Sequence, residues 1–174
     1  QKGDNLVKAL YCSGNSLYLV GTSTGASLFD DTKTTTGNTD VFVARLAKST
    51  FSPYWVSLSG VAEGDENLEC VATSAISGDM IYVGAYTGNE PTPSYMNYIN
   101  PYLYAVNTKT VATESVNTTD YVTGLAAGSN VNDLYILSYT DKTTALNFGL
   151  YTSTATGISS VKAADKAQDA KIYN

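Results

Sequence analysis

The sequence predicts an all-β fold, and three observations carry that prediction. Its composition suits strands: 43% of residues are apolar and only 15% charged, and the 14 tyrosines stand among Val, Ile, Thr and Ser, side chains that fit a pleated, half-buried surface. Apolar residues alternate over short runs bounded by Gly, Asn and Asp turns. One order of features also recurs three times along the chain, which is the mark of a repeat architecture.

Each repeat opens with an acidic residue before an apolar strand, passes a polar turn and enters an aliphatic strand marked by Tyr. The first runs from Asp4-Asn5-Leu6-Val7 through Gly14-Asn15 to Leu17-Tyr18-Leu19-Val20-Gly21-Thr22. The second runs from Asp65-Glu66-Asn67-Leu68 through Gly78-Asp79 to Ile81-Tyr82-Val83-Gly84-Ala85, and the third from Asp120-Tyr121-Val122 through Asn132-Asp133 to Leu134-Tyr135-Ile136-Leu137. Third strands are predicted at Asp40 to Leu46, Tyr102 to Val106 and Leu146 to Tyr151. Fourth strands are predicted at Tyr54 to Leu58, Val111 to Val116 and Ile158 to Val161. The units then occupy residues 4–64, 65–119 and 120–168, with Asp169 to Asn174 opening a fourth. For Ala163 to Ala170 a short helix is the competing reading, on Ala, Lys and Gln propensity.

Short antiparallel strands grouped in fours are the signature of β-propeller blades, and three blades fall short of the roughly 4 to 8 that close a ring. A larger ring or a multichain assembly is therefore expected, since a three-blade arc bares apolar faces and strand edges at both ends.

The first unit and the start of the second resemble the bacterial seven-bladed propeller repeat. The resemblance rests on Leu17-Tyr18-Leu19-Val20-Gly21-Thr22, Asp40-Val41-Phe42-Val43-Ala44-Arg45-Leu46, Trp55-Val56-Ser57-Leu58 and the turn from Gly60 to Asp65. It covers residues 14 to 84. Ser59 replaces the first glycine of the family's Gly-Gly turn, and the later units lack the Trp and the Asp-x-Phe motif. The resemblance implies architecture and no particular activity, because propellers host both enzymes and binding platforms.

Most catalytic chemistry lacks its residues. The chain has no histidine, which removes Ser-His-Asp and Cys-His catalysis and every histidine metal site. No Gly-rich phosphate loop is present. Neighbouring acids at Asp30-Asp31, Glu63, Asp65-Glu66 and Glu69 are read as solvated loop residues rather than a glycosidase pair. Calcium is an alternative expectation at Asp30, Asp31 and Asp40 or at Glu63, Asp65 and Glu66, acids that lack EF-hand spacing; otherwise no cofactor is expected. A net charge of −6 with Arg45 as the sole arginine argues against nucleic acid. No stretch approaches the roughly 20 apolar residues of a membrane span.

Cys12 and Cys70, an even pair, and the sequon Asn117-Thr118-Thr119 predict an extracellular or cell-surface protein with one disulfide and one glycan. Gln1 in place of Met fits a precursor from which a leader or longer segment has been removed. Tyr95 and Tyr98, in a Pro- and Asn-rich stretch, are candidates for a contact surface. The function expected is a non-catalytic scaffold or binding module whose partners are other protein chains or further blades. A carbohydrate-binding or glycoside-processing propeller is the alternative.

Overall fold

A computed structural model of the chain describes residues 3–25, 35, 39–59, 73–87, 99–117, 121–128, 133–139, 146–154 and 157–163. These residues form twelve strands in three four-stranded antiparallel sheets, each a simple up-and-down succession. The first sheet holds β1 (Asn5–Ser13), β2 (Ser16–Ser23), β3 (Asp40–Ala47) and β4 (Pro53–Ser59). The second holds β5 (Thr73–Ser77), β6 (Met80–Thr87), β7 (Ile99–Asn107) and β8 (Thr113–Asn117). The third holds β9 (Tyr121–Ala127), β10 (Asp133–Tyr139), β11 (Leu146–Thr154) and β12 (Gly157–Ala163). No helix long and apolar enough to cross a membrane occurs among the described residues.

The sheets repeat one another in detail. Gly14-Asn15 and Gly78-Asp79 make matching two-residue hairpins, with Gly first at φ +53° and +58°. An L side chain at that position crowds the following carbonyl, so glycine is favoured there. The turns leading into β4 and β8 also match: Phe51 N–H donates to the Ala47 carbonyl and Val111 N–H to the Asn107 carbonyl. Lys48 and Thr108 each donate back to the preceding hairpin, at the Asn15 and Asp79 carbonyls. Tyr18, Tyr82 and Tyr135 are each the third residue of their sheet's second strand.

Packing is face to face between consecutive sheets. Tyr18, Val20, Val41 and Val43 of the first sheet meet Ile81, Val83, Ala85, Tyr104 and Val106 of the second. On its opposite face, the second sheet offers Ala75, Met80, Tyr82, Leu103 and Ala105 to Val122, Leu125, Leu134 and Ile136 of the third. Alternation in β6 thus serves two neighbours: odd-numbered residues point to the first sheet and even-numbered ones to the third. Gly84 belongs to the second set, and a Cβ there would lie 2.9 Å from Val122 Cβ and Cγ1; its absence lets β9 come close. Leu17, Leu19, Phe42, Ala44, Leu46 and Val56 form a further buried cluster on the far face of the first sheet. Each fully buried aliphatic or aromatic side chain contributes roughly 1.5–3 kcal/mol of transfer free energy.

Candidate functional site

Strand β1 is where the repeat breaks its own pattern. Val7 pairs with Gly21 and Leu10 with Leu19, with a bulge at Lys8 between them. In the third sheet Val122 pairs with Ser138 and Leu125 with Ile136, with the bulge at Thr123. Leu19 and Ile136 are both fourth in their strands, so Val7 matches Val122 and Leu10 matches Leu125. Val122 and Leu125 are 7% and 2% exposed, packed on the second sheet. Val7 and Leu10 are 43% and 56% exposed. Among the described strands β1 pairs only with β2 and stands at the edge of its sheet.

A second cluster sits where one row of residues crosses the first sheet: Tyr11, Tyr18, Arg45 and Trp55 are register partners in turn. Register slips between Arg45 and Leu46, which pair with Trp55 and Pro53, so Tyr54 is an extra residue with no counterpart at the same point of β8. The bulge leaves Tyr54 exposed and sets its ring against the Arg45 guanidinium, 4.8 Å from Cζ to the ring centroid. The Tyr18 ring lies on Arg45 at 6.0 Å, and Tyr18 and Trp55 are 6.3 Å apart between centroids. Arg45 Nε donates to Ser16 Oγ at 2.9 Å. Phe51, exposed in the turn before β4, lies close by in sequence.

Between these surfaces the first and second sheets are tied by a buried polar contact. The Ser57 hydroxyl of β4 and the Tyr104 hydroxyl of β7 are hydrogen-bonded to each other. The Tyr104 phenol is pushed up to about 12, chiefly by burial, with the Ser57 bond pulling the other way and the charge of buried Asp40 adding to the rise. The phenol therefore stays neutral at physiological pH and acts as a cross-sheet tie, not as an acid or base.

Comparison with solved structures finds a match in the β-propeller domain of the Trilobed protease from Pyrococcus furiosus, described as having an open velcro topology. The two are 10% identical with a TM-score of 0.56, and the match covers 95% of this chain and 44% of that one. The chain has the β-propeller fold. It spans less than half the length of the propeller domain it matches. No family pattern and no curated relative matches the sequence.

The three sheets are thus blades, and β1 and β9 are the first strands of blades one and three. Cys12 is exposed near the end of β1, while Cys70 lies outside the described residues, as do Tyr95 and Tyr98. Asn117 is the last residue of β8, paired in register with Tyr102. Residues 169–174, expected to open a fourth unit, lie outside the described residues. Of the acids considered for calcium or catalysis, Asp40 is buried at the start of β3; Asp30, Asp31, Glu63, Asp65, Glu66 and Glu69 lie outside the described residues. Among the described residues no three acidic or sulfur side chains cluster.

The sequence led to the expectation of bare apolar faces at the ends of a three-blade arc, but it named the residues of neither surface. Val7 and Leu10 read as ordinary strand residues, and only the register match with Val122 and Leu125 reveals them as uncovered. Arg45 and Trp55 were visible as the sole arginine and sole tryptophan, but the bulge that brings Tyr54 onto the guanidinium has no clear sequence signal apart from the neighbouring Pro53.

Proposed function

We propose that this chain is a non-catalytic propeller segment that acts as a scaffold through protein–protein contacts, and that its β1 side receives a further blade. The observation that supports this reading is the exposure of Val7 and Leu10 at positions whose equivalents in blade three are blade-to-blade contacts. An apolar strip on an edge strand is a standing invitation to association. The further blade belongs to another chain or to a longer parent, and the likeness of the first unit to the bacterial seven-bladed repeat supports a parent of that architecture. An extracellular or cell-surface setting, with Asn117 glycosylated and Cys12 bridged to Cys70, completes the reading.

Light scattering and sedimentation of the purified chain test it. Self-association or aggregation is expected for the native sequence, and Val7→Lys with Leu10→Lys should return the chain towards monomer. A monodisperse monomer whose β1 amides exchange with deuterium as slowly as those of β9 would sink the idea, because β1 would then need no partner.

A further inference from the structure

The row that crosses blade one holds two sets of hydrogen-bond donors without acceptors. Arg45 presents a guanidinium with five N–H donors, of which Nε–H is committed to Ser16 Oγ. Among the described residues no carboxylate lies within ion-pair distance of it, the exposed pair Lys109–Asp79 being elsewhere. Its charge rests only on the faces of Tyr54 and Tyr18. Directly across the β3–β4 ladder, Trp55 Nε1 is buried with no acceptor. A buried polar hydrogen left unpaired costs on the order of 1–3 kcal/mol, and the partly exposed guanidinium beside it has N–H donors free to take an anion in place of water. Two such donors side by side in an acidic chain describe a site whose acceptor comes from outside.

We propose that Arg45 and Trp55 form a carboxylate-binding site, whose ligand is an Asp or Glu side chain presented by a partner protein. The two terminal guanidinium nitrogens match the two oxygens of a carboxylate in a forked pair. Trp55, the register partner of Arg45, carries the third donor, which the anion reaches once the rings packed beside the indole move aside. One cation and one neutral donor balance a monoanion, whereas a phosphate dianion calls for clustered cations. Tyr54, on its bulge, lies over one face of the guanidinium and keeps water off that face. Exposed Tyr54 stacked on the arginine gives the Tyr and Arg pairing that concentrates energy in protein interfaces. This site is on the ladder between β2, β3 and β4, apart from the β1 strip, so it stands or falls separately from the docking of a further blade.

The sole tryptophan makes the test direct, because the chain has a single indole N–H resonance. The ¹⁵N-labelled chain is titrated at constant ionic strength with sodium acetate, with a capped Ala-Glu-Ala peptide and with its Gln counterpart. A saturable downfield shift of the indole proton is expected with acetate and the Glu peptide, and none with the Gln peptide or sodium chloride. Arg45→Lys should weaken binding about tenfold or more and Arg45→Gln should abolish it. If Arg45→Gln does not fold, Tyr54→Ala serves instead, leaving the Ser16 bond intact and weakening binding several-fold by admitting water. An unmoved indole resonance, an equal shift in Arg45→Gln, or an equal shift with chloride overturns the site. A methyl uronide that moves the resonance where the Glu peptide does not overturns the protein ligand.

Discussion

Strands β1 and β9 share their register, their bulge and their place beside a second strand, yet Val7 and Leu10 face solvent where Val122 and Leu125 are buried. Local sequence makes both strands; neighbours decide what each buries. In blade three the neighbour is known residue by residue, with Tyr82, Leu103 and Ala75 against Val122 and Leu125. In blade one the same side chains on the same ladder have no such blade among the described residues. The pair therefore separates two contributions usually entangled in a repeat protein, the cost of forming a strand and the gain from packing it.

The largest expected effect tests that separation. Leu125→Ala removes a fully buried side chain from a blade interface and should cost about 2–5 kcal/mol, cavity included. Leu10→Ala, at the equivalent position, should change stability by no more than about 0.5 kcal/mol at concentrations dilute enough to keep the chain monomeric. Urea denaturation of the two variants gives both numbers. Equal costs would break the comparison by showing that β1 is covered in solution. Repeating Leu10→Ala in an assembled state sharpens it, since the cost should then rise toward that of Leu125→Ala.

The next effect probes the side of blade one that does have a neighbour. Tyr104 titrates near 12 when folded, against 10 for an unperturbed tyrosine, so between those values the native chain holds a proton that the unfolded chain releases. The stability it contributes is whole below pH 10 and is lost as pH rises to 12, about 2–3 kcal/mol at 1.36 kcal/mol per pKa unit. Tyr104→Phe should remove this alkaline loss. It should also cost about 1–2 kcal/mol at neutral pH, because the Ser57 hydroxyl loses its partner. An unchanged alkaline limb in Tyr104→Phe would show that the blade one to blade two interface does not govern it.

How much of this was legible in the sequence follows the same division between local and tertiary effects. The marker tyrosines, the Gly14 and Gly78 hairpins and the run from Asp40 to Leu46 were readable because each is set by alternation or by a turn that needs a positive φ. Strand β7 begins at Ile99, ahead of the predicted start at Tyr102, and it tolerates Pro101 because the ladder bulges there, between Tyr86 and Thr87. The exposure of Val7, the unpaired Trp55 indole and the Tyr54 stack depend on which strand lies opposite and on a one-residue slip between Arg45 and Leu46. Alternation reports which residues share a face; it does not report whether that face is covered.

The smallest effect is a control in which the two blades should agree. Phe51 and Val111 occupy matching turns and both have positive φ, 56° and 60°. An L residue held in that region loses about 1–2 kcal/mol to the clash of its Cβ with the following carbonyl. Glycine removes the clash, and its greater freedom in the unfolded chain takes back part of the gain. Phe51→Gly and Val111→Gly should therefore each stabilise the chain by about 0.5–1 kcal/mol, read as a raised urea midpoint with an unchanged slope. Agreement would show that the two turns respond to their own geometry, whatever packs on the blades around them, in contrast to the Leu10 and Leu125 pair. Phe51 adds one asymmetry, since its ring is exposed while Val111 is half-buried. If Phe51→Gly destabilises where Val111→Gly stabilises, the ring is packed against something in solution, and the arginine end of blade one is then a covered surface as β9 is.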